Sequence, residues 1–409
     1  MRDAIRKQIG NHPTAQVPDA IEEVPIVNPD AQIGIYVHIP FCQKHCPYCD
    51  FAVVEGMLHT APMYVDALCQ EIRQGAERSA PNPPVATIFL GGGTPSLLPA
   101  AQIGRILTTI HDVFNVQPDA EITLEANPGP LRPRHLAGFR AAGVTRLSLG
   151  VQTFNPRGLD ALGRLHTPEE GRQAIEHARA AGFASISADL IFGWQNQTLA
   201  DWQDDLRSAI ALHPDHLSAY SLTVEEGTPL AHAVAAGTAS VAEEDLYADM
   251  FLAADELLTG TGYAHYETSN YAQPGHRSRH NCGYWVNGDY LGFGVGAHSH
   301  RRDRRFWNVR DLHAYMKSVR AGSVEAGSEM ISAATARAET MFLGTRLAEG
   351  VSTSAFFDRH GTTVDAIYGH QIAEYVTRGV VTRIGGRIAL APEARLLADE
   401  IAVRFLEGE

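Results

Sequence analysis

Cysteine is scarce in this chain, five among 409 residues, and the odd count argues against a scaffold stapled by disulfides. Basic residues are outnumbered, 33 Lys and Arg against 47 Asp and Glu, which argues against a broad nonspecific grip on nucleic acid. No apolar run approaches the length that spans a bilayer, and the opening MRDAIRKQIGNHPTAQVPDAIEEVPIVNPD lacks the apolar core of a secretory leader. The expectation is a cytoplasmic protein without a transmembrane segment, leaving only peripheral contact with membranes open. Internal repeats and low-complexity tracts are absent as well. A hydrophobic content of 44% over this length supports one large core plus an accessory domain, or two ordinary domains.

Residues 1–31 are polar, contain proline and show no periodicity, so they read as a mobile arm. From Gln32 onward, six short apolar runs read as strands: IGIYVHI, ATIFLGG, AEITLEA, TRLSLGV, SISADLIFG and DHLSAYSL. Amphipathic stretches separate them, such as PEEGRQAIEHARAAG, where Pro168 suits a first helical turn and Gly182 the residue past the end. Strand then helix, repeated, predicts an α/β protein with a parallel sheet and helices outside it. Each strand runs into chemically loaded residues, which places a site at the carboxyl ends of the strands. The second half is less regular. It carries YETSNYAQPGHRSRHNCGYWVNGDYLGFGVGAHSH, then helices, then VVTRIGGRIAL, which predicts a hairpin closed on Gly385 and Gly386 in a wing-like unit near 378–405.

Three of the five cysteines, Cys42, Cys46 and Cys49, fall within YVHIPFCQKHCPYCDF as C-x3-C-x2-C, whereas Cys69 sits in a helical pattern as a small buried residue. A closed structural zinc site wants four ligands, and the zinc alternative would need His45 or Cys282 as the fourth. Three thiolates suit a cubane iron–sulfur cluster that leaves one iron open to a small molecule.

This motif, with Tyr48 before its last cysteine and a preceding strand that reads Tyr36-Val-His-Ile-Pro, resembles the radical SAM superfamily. That resemblance implies a partial (β/α)6 TIM-like barrel over 32–235 and a mostly helical, wing-containing accessory domain over 236–409. It implies a 4Fe-4S cluster on Cys42, Cys46 and Cys49 that binds S-adenosylmethionine (SAM). GGGTPS resembles the superfamily's glycine motif, and LEANPG, SLGVQTF, LGRLHT and DLIFG resemble the coproporphyrinogen-dehydrogenase-like branch. The SAM-binding residues so implied are Tyr36, Tyr48, Gly92, Gly93, Thr94, Glu125, Gln152, Arg164 and Asp189. For Arg164 and Asp189 a buried ion pair is the plain alternative. FGWQNQT departs from the branch, with Trp194 where relatives carry Leu-Pro.

Within the branch, coproporphyrinogen III dehydrogenases carry a further cysteine two positions after the third, where this chain has Phe51. Cys49-Asp50-Phe51 and the H-N-x-x-Y-W run from His280 to Trp285 instead resemble the HemW-type heme chaperones. Heme binding through His280, Tyr284 and Trp285 is then implied, imidazole being a common axial ligand and aromatic rings packing on a flat macrocycle. His298, His300 and Cys282 are reserve ligands. The basic run Arg301, Arg302, Arg304 and Arg305 reads as a solvated face, or as a partner for propionates or an acidic acceptor. The implied partners are heme and a heme-accepting protein, a respiratory one among the options; nucleic acid is not among them, and a homodimer is compatible. The alternative is a radical SAM enzyme of porphyrin metabolism, either an oxygen-independent coproporphyrinogen III dehydrogenase or a heme-degrading enzyme.

Overall fold

The computed structural model describes residues 32–79, 82–129 and 131–406; the arm expected over 1–31 lies outside the described residues. All six apolar runs form strands: β1 (Ile33–Ile39), β2 (Val85–Gly92), β3 (Val116–Ala126), β4 (Arg146–Gln152), β5 (Ser185–Phe192) and β6 (His216–Ser221). They pair side by side in chain order, all parallel. Buried on both faces, β1 has no polar alternation, as befits a parallel strand covered by helices. The helix Pro168–Ala180 begins with Thr167 and Glu170 in a capping box, and Leu199–Ala211 begins likewise with Thr198 and Asp201. Gly182, past the first of these, turns the chain at φ +78°.

The sheet does not stop after β6. Six later strands join it: β7 (Ala264–Glu267), β8 (Asn270–Ala272), β9 (Tyr290–Phe293), β10 (His298–Arg301), β11 (Arg304–Asn308) and β12 (Glu325–Met330). The order is β12-β11-β10-β9-β1-β2-β3-β4-β5-β6-β8-β7, with β9 parallel to β1 and the remaining additions antiparallel. Its edges, β12 and β7, do not pair, so the sheet is open.

The sheet and its core continue past residue 235. Leu291, Phe293, Val295, Tyr315 and Val324 pack into the same core as Ile33 and Leu190, because β9 pairs with β1 on one side and carries β10 on the other, which makes the later strands part of the same sheet. A separate core forms later, from Met341, Phe356, Tyr368, Ile388 and Phe405. In that unit helices Ala333–Gly344, Thr353–His360, Val364–Thr377 and Ala398–Leu406 surround a hairpin of Val381–Ile384 with Arg387–Leu390. Gly385 and Gly386 make its turn, both at positive φ as such a two-residue turn requires. Among the described residues no helix is long and apolar enough to cross a membrane.

Candidate functional site

The cysteine loop is pinched at its base, where Phe41 and Cys42 pair with Val54 and Glu55. His38 fastens it from below: its buried ring shares one hydrogen bond with the Tyr36 hydroxyl at 3.0 Å and another with the Ala52 carbonyl at 2.9 Å. Burial lowers its pKa to about 4, so the ring is neutral. The glycine run beside it is small for the sake of this packing. A Cβ on Gly92, already at φ +110°, would lie 2.5 Å from the His38 ring, and one on Gly93 would lie 2.7 Å from the Phe41 carbonyl oxygen. Glycine thus lets strand β2 approach the root of the loop, not only a ligand.

Cys42, Cys46 and Cys49 are all half-buried free thiols that face one cavity. The Cys42 sulfur lies 3.8 Å from the Thr94 hydroxyl, and an Arg164 nitrogen lies 3.6 Å from the Cys46 sulfur. Burial pushes the Cys42 thiol up to about 11, with repulsion from Cys49 and Cys46 adding to it, and raises the Cys49 thiol as well, with repulsion from Cys46 and Asp50 adding there. A cationic metal cluster would reverse that cost. Among the described residues no three His, Cys, Asp or Glu side chains converge on a point that one metal ion could fill. Three thiolates on one cavity suit a cluster that leaves its fourth iron open better than a closed zinc site, which takes four ligands.

The cavity, about 880 Å³, runs past the ends of β1 to β5, within the range of small-molecule and cofactor sites. Tyr36, Tyr48, Gly92, Gly93, Thr94, Glu125, Gln152, Arg164 and Asp189 all line it. Arg164 and Asp189 do not pair with each other. Arg164 donates to the Asn127 side chain at 2.5 Å and to the Gly150 carbonyl at 2.9 Å. Asp189 accepts from the hydroxyls of Ser148, Ser187 and Ser218 at 2.7–2.8 Å. Glu125 accepts from the Gly92 amide at 3.1 Å, and burial, then the nearby Asp189 charge, pushes its carboxyl up to about 8. Gln152 holds a left-handed backbone at φ +67°, and its side-chain oxygen is buried with no partner. An orphaned acceptor beside a raised carboxyl and a buried guanidinium fits a polar ligand carrying amino, hydroxyl and carboxylate groups, as SAM does. Trp194, the departure in FGWQNQT, is buried with Leu162, Ile191 and Leu222, and Tyr48 packs against that cluster. Asn127, at the end of the third strand, stands among the loaded residues that the sequence places at the site; Ser148, Ser187, Ser218 and His38 are supports that only the structure brings in, the hydroxyls alternating with apolar residues in TRLSLGV and SISADL being their one signal in the sequence.

The H-N-x-x-Y-W run forms a short helix, Arg279–Trp285, capped by Ser278. Glu121 accepts from the amides of Arg279 and His280. The three expected heme residues are not brought to one surface. Tyr284 lines the cavity, while His280 and Trp285 do not. The His280 ring is buried, stacked on Phe89 with centroids 5.1 Å apart, and shares hydrogen bonds with the Thr87 hydroxyl at 2.8 Å and the Tyr284 hydroxyl at 2.9 Å. Both its nitrogens are engaged. Trp285 lies beneath the Arg346 guanidinium, 4.8 Å from ring centroid, and Cys282 is buried beside Tyr266 and Leu347. In the basic run, Arg301 pairs with Asp289, Arg304 with Glu325, and Arg305 with Glu329 and Glu339.

The Radical SAM superfamily matches residues 36–209, and the HemN C-terminal domain matches residues 331–397. With the six parallel strands of the open sheet and the cysteine loop at their carboxyl end, these matches define a radical SAM protein, a class that implies a 4Fe-4S cluster and SAM. The solved structure of Escherichia coli coproporphyrinogen III oxidase (HemN), a radical SAM enzyme, shares the fold: TM-score 0.79, 24% identity, 98% of this chain and 93% of that one. Heme chaperone HemW of Mycobacterium tuberculosis H37Rv is 35% identical over 386 residues, covering 93% of this chain and 96% of the relative. HemW of Bacillus subtilis is 33% identical over 373 residues, covering 91% and 98%. The chain belongs to the HemW family.

Proposed function

We propose that this protein is a heme chaperone: it binds heme and passes it to an acceptor protein, while Cys42, Cys46 and Cys49 hold a 4Fe-4S cluster and the residues around Glu125, Gln152, Arg164 and Asp189 hold SAM. A cluster held by Cys42, Cys46 and Cys49 would supply an open metal position for SAM and electrons for its reduction. Around it, Arg164 presents its guanidinium to a carboxylate, the raised Glu125 carboxyl meets hydroxyl or amino groups, and Asp189, saturated by three serines, fixes the shape of the wall. The observation that carries the reading is the loop sequence at the cavity mouth. Phe51, 60% exposed, stands where a coproporphyrinogen dehydrogenase carries its further cysteine, and it offers an apolar ring to solvent.

In this reading a role for His280 as iron ligand calls for the ring to leave Thr87 and Tyr284 first. One incubation of reconstituted protein with SAM, reductant and coproporphyrinogen III tests the function, alongside transfer of bound heme to an apo-hemoprotein. Heme transfer without protoporphyrinogen IX is the expected result. Multiple turnovers to protoporphyrinogen IX, with matching 5'-deoxyadenosine, would replace the chaperone with a radical enzyme of porphyrin metabolism.

A further inference from the structure

Heme is a flat apolar disc with two carboxylates and an iron that takes a lone pair, so a site that holds it through histidine needs a free imidazole nitrogen, an apolar face and a cation. Among the described residues four histidines line the cavity: His38, His45, His216 and His298. His38 has both ring nitrogens bonded. His216 bonds Ser187 and Tyr266, and His45, bonded through Nε2 alone to the Cys49 carbonyl, lies inside the cysteine loop between Cys42 and Cys46. The side chain of His298 has no hydrogen bond to any described residue, and it is exposed.

Its ring is nevertheless oriented. His298 on β10 stands directly opposite Trp307 on β11, which puts both side chains on one face of the sheet. The two rings stack, centroids 5.7 Å apart and 23° from parallel. A stacked imidazole presents its nitrogens edge-on.

Arg310 stands nearby in the same cavity. Its guanidinium donates to the Asp50 carbonyl at 3.3 Å and pairs with no carboxylate among the described residues, unlike the guanidiniums of Arg301, Arg304 and Arg305. Gly296 ties this corner together: a Cβ there would lie 3.1 Å from Ala52 and 3.4 Å from Arg310. The exposed Phe51 ring therefore shares the mouth with Arg310 and His298.

We propose that this mouth is the heme site: His298 is the axial ligand, Trp307 positions it, Arg310 takes a propionate, and Phe51 lies against the macrocycle. The proposal rests on the heme-chaperone reading above and deepens it. It puts the iron in the cavity that the cysteine loop also lines, not at the buried His280.

The test is hemin titration of the full-length, cluster-reconstituted protein, followed by absorption and resonance Raman spectra, in wild type, His298→Ala and Arg310→Gln. Wild type binds saturably. His298→Ala shifts the Soret band, loses the iron–imidazole stretch and weakens binding about tenfold or more, and added imidazole restores the spectrum. Arg310→Gln weakens binding about three- to tenfold with an unchanged spectrum. Cluster iron is the same in all three. A wild-type spectrum and affinity in His298→Ala would overturn the assignment and leave the chaperone reading standing. Failure of the wild type to bind hemin saturably would overturn that reading and this site with it.

Discussion

Replacing His280 with Ala separates a ligand from a structural bridge. The ring is 3% exposed and joins the Thr87 hydroxyl to the Tyr284 hydroxyl. Its loss strands a buried hydroxyl on β2 and frees another at the cavity wall, about 2–3 kcal/mol for the two. The gap left beside Phe89 and Gly34 adds about 1–2 kcal/mol. The apo variant should therefore be about 4 kcal/mol less stable near neutral pH. The deficit depends on pH with a definite sign. Burial lowers the His280 pKa from 6.5 to about 3, so below 6.5 the unfolded chain takes up a proton that the folded chain refuses. Wild type loses that stability as pH falls, about 2 kcal/mol by pH ~5, and the variant does not. Urea unfolding followed by circular dichroism, at about pH 7.5 and about pH 5 and constant ionic strength, reads both effects. The gap to wild type should shrink from about 4 to about 2 kcal/mol. A deficit under about 1 kcal/mol at the higher pH, or one that does not change with pH, would refute the bridge and return His280 to the list of free ligands.

Other expectations concern the loop and its supports. Cys42→Ala, Cys46→Ala and Cys49→Ala should each lose cluster iron and sulfide after anaerobic reconstitution, whereas Cys69→Ala and Cys282→Ala, both buried away from the loop, should keep them. Gly93→Ala should cost about 2–4 kcal/mol in thermal unfolding and release the cluster more readily, because its methyl meets the Pro40 and Phe41 backbone. Glu71 accepts from the Gly294 amide, the Tyr315 hydroxyl and the Asn308 side chain, fixing the segment that leads into β10. Burial raises its carboxyl to about 7, so wild type loses stability as pH rises from 4.5 toward 7 while Glu71→Gln does not. The deficit of that variant should be largest in mild acid, and a deficit that grows between about pH 5 and about pH 8 in thermal melts would contradict it.

The sequence by itself determined what rests on local pattern. Branched apolar runs alternating with capped amphipathic stretches are short-range properties, so all six parallel strands, and helices such as Pro168–Ala180, were legible. So were the cysteine loop, whose three sulfurs lie within eight residues, and the Gly385-Gly386 turn, whose positive φ values few other residues accept. Only the tertiary structure decided where the sheet ends, because β9 pairs with β1 across some 250 intervening residues and nothing local to LGF announces that partner. It also separated His280 from His298. Both lie among aromatics and glycines in one segment of sequence, but the bonds that occupy the first come from Thr87, far away in the chain, and from Tyr284 one helical turn on. The second has no hydrogen bond to any described residue, its cross-strand partner being a tryptophan that stacks on its ring. Which nitrogen is available to a ligand is set by contacts between strands, and no spacing rule along the chain encodes them.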